Sequence, residues 1–155
     1  METEAKYYVP EISEFFVGFE YEIIYEDEPP KAYKFDITDM LYAQSPETEE
    51  FFGGICSKIE NKQVRVKYLD SEDIESLGFI FNAGVTERTD RFSYKNFMLY
   101  FNREAKIVRI AEMNRQIVFQ RAFPMGVELD YKELFNGTVK NKSKLKQVLK
   151  MIGVH

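Results

Sequence analysis

Between Phe79 and Phe135 the chain repeats one pattern, short runs rich in aromatic and β-branched residues separated by clusters that favour turns. Strand-like runs fall at about 79–82, 91–101 with a break near Asn96, 106–111, 116–121 and 131–135. Asn102-Arg103-Glu104 and Met113-Asn114 carry turn chemistry between them, and Asn136-Gly137 is a further turn candidate. Strands joined this closely pair with their sequence neighbours, which predicts an antiparallel meander. With 14 Phe and 10 Tyr, the chain also has the residues that sheets favour.

The helical signals are fewer. In NKSKLKQVLKMIG, Asn141 is placed as a cap, Leu145, Val148, Leu149 and Ile152 form one stripe, and Gly153 stops the helix. Lys142, Lys146 and Lys150 hold the opposite face. A short helix is predicted over 71–77, with acids in its first turn and Gly78 at its end. Ser45-Pro46 reads as a second helix start, and Gly53-Gly54 as a turn. In the N-terminal part, Phe19, Tyr21 and Ile23 alternate with Glu20 and Glu22, and Val64, Val66 and Tyr68 with Arg65 and Lys67; each set predicts a half-buried strand. Residues 7–16 read as an irregular entry, and Glu26 to Pro30 as the end of the first strand. The expected fold is α+β: an antiparallel sheet of five to seven strands, a C-terminal helix packed on one face, and one or two short helices. At 155 residues, one domain is expected.

Charge is divided along the chain. Residues 1–87 hold 7 Lys/Arg and 20 Asp/Glu, whereas residues 88–155 hold 14 and 6. The halves therefore meet each other or face different partners. A net charge of −5 argues against general nucleic-acid binding, which needs a dominant basic field. No segment reaches the roughly 20 apolar residues of a membrane span, and no N-terminal stretch has a secretory pattern. With Cys56 as the one cysteine, no internal disulfide forms, and a cytoplasmic setting is expected.

Catalytic options are restricted by scarcity. The only histidine is His155, and there is no tryptophan. Cys56 has no histidine base within the fold and reads as a small packed residue rather than a nucleophile. Glu20 and Glu22 share a strand face, which alternation alone explains as solvated. Asp70, Glu72 and Asp73 sit where a helix start favours acids, and they lack the spacing of a calcium loop. No catalytic residue, metal or cofactor is predicted.

Two surfaces remain as binding candidates. Between Arg88 and Arg121, basic residues interleave with aromatics, so Tyr94, Lys95, Tyr100, Arg109, Arg115 and Arg121 are candidates for holding a small anionic ligand such as a nucleotide signal. The acids Glu20, Glu22, Glu26, Asp27 and Glu28 are candidates for meeting a basic protein partner. On the strand starting at Lys106, Arg109 shares a face with Ile107 and Lys106 with Val108 and Ile110, so neither face is cleanly apolar, and the strand is expected either to be covered on both sides or to lie at a contact surface.

Three segments, YVPEISEFFVGFEYE, VRVKYLDSEDIESLGF and FNGTVKNKSKLKQVLKMIGV, resemble small proteins of Bacteroidetes genomes and their phages that have no assigned activity. The resemblance covers about half the chain. It implies a gene of a phage or mobile element and transfers no functional residue. The leading functional expectation is a non-catalytic accessory or inhibitory protein engaging a host macromolecule. Sequestration of a small anion is the alternative, with a carboxylate-and-metal hydrolase or a virion structural role behind it.

Overall fold

A computed structural model of the 155-residue chain describes residues 6–36, 38, 55, 57–118 and 126–155. The fold is α+β with antiparallel sheets, and it forms two compact units, Met1–Tyr68 and Leu69–His155. The helix start predicted at Ser45, the Gly53-Gly54 turn and Cys56 lie outside the described residues.

The first unit holds a four-stranded sheet in the order β1-β4-β2-β3, built from β1 (Tyr7–Tyr8), β2 (Glu20–Ile23), β3 (Lys31–Lys34) and β4 (Val64–Lys67). Alternation works as expected: Tyr21 and Ile23 of β2 and Val64 and Val66 of β4 are buried. They pack with Phe19, Phe35 and Ile55 into one core. The Glu26–Pro30 stretch breaks the ladder, and the chain returns as β3, pairing Glu20 with Lys34 and Ile23 with Lys31. Between β1 and β2, a 3₁₀ turn over Ile12–Glu14 carries Phe15 and Phe16 to the core edge.

In the second unit, Asp70 caps the short helix α1 (Ser71–Glu75), its Oδ1 accepting the Asp73 amide at 2.9 Å. This settles the acids at 70–73 as a helix start. Five strands follow in meander order: β5 (Ile80–Thr86), β6 (Thr89–Tyr94), β7 (Phe97–Asn102), β8 (Ile107–Val118) and β9 (Gly126–Thr138). The turn near Asn96 forms at Lys95-Asn96, where Lys95 takes φ 52°. One sheet face buries Phe92, Leu99, Phe101, Val108 and Ile110, and these form one core with Leu145, Val148 and Leu149 of α2 (Lys142–Met151). The C-terminal helix is therefore packed on one face of the sheet by the predicted stripe.

Three local expectations need correction. Met113-Asn114 makes no turn: β8 runs through it, pairing Met113 with Tyr131 and Asn114 with Asp130. Asn136-Gly137 likewise lies inside β9, opposite Arg109 and Val108. And β8 alternates cleanly from Ile107 to Ile110. Lys106, at φ 54°, belongs to the preceding turn, so alternation starts at Ile107. Val108 and Ile110 are fully buried, while Ile107 and Arg109 face solvent. Beyond Glu112, opposite the β7 start at Phe97, β8 and β9 continue as a two-stranded ribbon to Val118 and Gly126.

The Asn141 cap gives a direct stability test. Its Oδ1 accepts the Lys144 amide at 2.8 Å. Asn141→Ala is expected to lower stability by about 1 kcal/mol, and Asn141→Asp to retain most of it. Denaturant midpoints of the two variants measure the difference.

Candidate functional site

The core-facing side of the five-stranded sheet consumes its large apolar residues, which leaves the opposite face to be read on its own. Register places Arg91 of β6 opposite Tyr100 of β7, Tyr100 opposite Arg109 of β8, and Arg109 opposite Asn136 of β9. Alternation puts this row on the face away from Phe92, Leu99, Phe101, Val108 and Ile110. At about 5 Å between strands, Tyr100 occupies the register position between two guanidinium-bearing residues. In the neighbouring row Met98 and Ala111 are buried, so the face is closed on that side; on the other, Ile107 is exposed. The result is a strip along one row, exposed at Arg109 and half-buried at Arg91 and Tyr100.

The two arginines differ in state. Arg109 pairs with Glu133, and both side chains are about half exposed. A pair in that setting is worth about 0–1 kcal/mol, so an incoming anion displaces it readily. Arg91 is partly buried, and its Nε is enclosed with no hydrogen-bond partner among the described residues. A buried donor left unsatisfied costs about 1–3 kcal/mol, which an acceptor would recover.

The six basic and aromatic candidates thus separate. Tyr100 and Arg109 come together on this strip. Tyr94 and Lys95 lie elsewhere: Tyr94 packs on Phe79, with ring centroids 5.4 Å apart, and both residues donate to the main-chain oxygen of His155, at 2.8 and 3.3 Å. Arg115 is in the ribbon, opposite Leu129, where only the backbone is described. Arg121 lies outside the described residues. Arg91 was not singled out by sequence. Only the pairing of β6 with β7 identifies it, since several basic residues in this stretch look alike without a register.

The acidic candidates are partly engaged with neighbours. Glu22 accepts from Arg65 Nε at 2.7 Å, and the same guanidinium lies 4.0 Å from the Tyr7 ring centre. Glu28 pairs with Lys31. Glu20 is exposed on β2 opposite Lys34, and Glu26 and Asp27 are exposed between β2 and β3. Nearby, the Tyr25 and Tyr33 hydroxyls are 2.9 Å apart, and this hydrogen bond holds the Tyr25 phenol above its ordinary pKa. Tyr25 therefore stays neutral and offers no activated oxygen.

Among the described residues, no group of three or more His, Cys, Asp and Glu side chains is arranged to hold a metal ion. Among the same residues, no helix is long and apolar enough to cross a membrane. Compared with known proteins, the chain matches no family model, no curated protein and no solved structure.

Proposed function

We propose that the 69–155 unit is a non-catalytic binding module that holds a small anion bearing a flat ring, of the nucleotide class, on the face of its sheet turned away from α2. The observation that carries this reading is the Arg91–Tyr100–Arg109 row, in which Arg91 Nε has no hydrogen-bond partner among the described residues. A guanidinium presents a planar fork of donors suited to phosphate oxygens, and a tyrosine face accepts a stacked base. The acidic surface supports its competing role less well at Glu22, whose carboxylate is held by the part-buried Arg65 guanidinium. In the cell such a module would act by sequestration.

Titration calorimetry with nucleoside mono- and diphosphates tests the proposal. Arg109→Ala and Arg91→Lys, which keeps charge but loses the fork, are each expected to weaken binding about tenfold or more, from charge-assisted bonds worth about 1.5–3 kcal/mol. Their melting temperatures should stay near the parent's. Nucleotide binding that is absent, or that survives both changes, removes the strip as the site.

A second reading, engagement of a protein partner, is favoured by edge strand β5. Ile80, Phe81 and Val85 are exposed there, at 67%, 45% and 51%. An apolar edge of this kind can accept an added strand. Two register shifts along β5 limit the length of regular edge available. Capture of a partner that is lost in Ile80→Lys and kept in Arg109→Ala would support this reading over the first.

A further inference from the structure

We propose that a hollow beside the end of α2 is a second binding site, which takes a single-chain amphipathic carboxylate. The hollow measures about 300 Å³, at the small end of ligand cavities. Leu77, Phe79, Leu149 and Val154 make its floor, and Lys146 and Lys150 stand at its rim. The floor is firm: Phe79, Leu149 and Val154 are all less than a tenth exposed and belong to the core of the unit. Two left-handed glycines shape the walls. Gly78, at φ 92°, turns the chain between Leu77 and Phe79, and Gly153, at φ 76°, turns it from α2 into Val154. Neither wall can slide shut without disturbing core packing, so the apolar concavity persists.

Charge identifies the head group. None of the eight lining side chains is acidic. Lys146 and Lys150 are both exposed, and Lys150 makes no ion pair among the described residues. Lys95 is engaged nearby, with the His155 main-chain oxygen at 3.3 Å and the Tyr94 ring centre at 4.9 Å, so Lys150 carries the site's uncommitted charge, with Lys146 beside it at the rim. A helix C-terminus opposes an anion by about 0.3–1 kcal/mol. Here that opposition is reduced, because the carbonyls of Val148, Leu149 and Lys150 accept amide hydrogens from Ile152, Val154 and Gly153. Lysines offer a mobile point charge rather than a guanidinium fork, while the floor offers apolar area, so a chain with one carboxylate fits both parts. This site is on the core-facing side of the sheet and is independent of the Arg91–Tyr100–Arg109 strip.

The experiment uses the full chain and decanoate below its micelle concentration, followed by calorimetry and by amide shifts of Leu149 and Val154. Saturable one-to-one binding is expected, with affinity rising up to about fourfold per added methylene across a series of shorter carboxylates. Lys146→Gln combined with Lys150→Gln should weaken decanoate binding at least tenfold. Arg109→Ala should leave it unmoved, which separates failure here from failure at the sheet face. Absence of saturable binding would overturn the proposal. So would equal affinity for decylammonium, insensitivity to the lysine changes, or binding seen only on decanoate-containing vesicles.

Discussion

Leu145→Ala is expected to remove about 2–5 kcal/mol of stability, a large share of the roughly 5–15 kcal/mol typical of a folded domain. Leu145 is fully buried on α2 and belongs to the same core as Phe92, Leu99, Phe101, Val108 and Ile110. Its neighbours on the helix stripe, Val148 and Leu149, hold the helix to the same sheet face, so the vacated volume closes poorly and the upper part of the range is expected. Leu145→Met, which nearly conserves volume, should cost less than about 1.5 kcal/mol. Amide signals of α2 and β7, followed through a denaturant series, report this unit specifically. Unchanged midpoints for Leu145→Ala would show that α2 does not rest on the sheet.

In the 1–68 unit the comparable residue is Phe19, for which Phe19→Ala is expected to cost about 3–5 kcal/mol. Phe19 is fully buried, with the rings of Phe15 and Phe16 at 4.8 and 5.6 Å between centroids. Such ring pairs add about 0.5–1.5 kcal/mol beyond area burial. The described core here has seven buried residues, so losing the largest kind of side chain is felt throughout it. Backbone hydrogen bonds are at stake as well: the Phe19 carbonyl accepts the Phe35 amide at 2.8 Å, beside β2 and β3. Limited proteolysis of residues 6–36 and the loss of their amide protection give the readout. Protection equal to the parent's would place the stability of this unit elsewhere.

What the sequence disclosed follows how local each signal is. The α2 stripe was legible because helix periodicity, cap and stop all lie within 13 residues, Asn141 to Gly153. Strands β2 and β4 were legible because each has one buried and one wet face. By contrast, β3 reads Lys-Ala-Tyr-Lys and is exposed throughout, so no apolar alternation marks it. Met113-Asn114 misled because residue preference at a turn is weak beside a full ladder supplied by residues 18 and 16 positions away, Tyr131 and Asp130. The candidate site was half legible for the same reason. Basic and aromatic residues are visible in the sequence, but which of them are neighbours depends on strand register, and register joined Arg91 to Tyr100 and Arg109, while Tyr94 falls on the opposite side and Lys95 in the turn after it.

The irregularity between Ile110 and Ala111 acts as a phase shift written into the β8–β9 pair. Phe135 faces Ile110 and Glu133 faces Ala111, so Leu134 is the uncounted residue. Were the ladder regular, Leu134 would face Ala111, and Glu133 would fall on the side away from Arg109. The extra residue instead brings Glu133 to the side of Arg109, with which it pairs, and sets Lys132 opposite Glu112 and Tyr131 opposite Met113. One leucine thus sets the relative parity of the two strands: every backbone pairing further out along the ribbon depends on an odd count at this position.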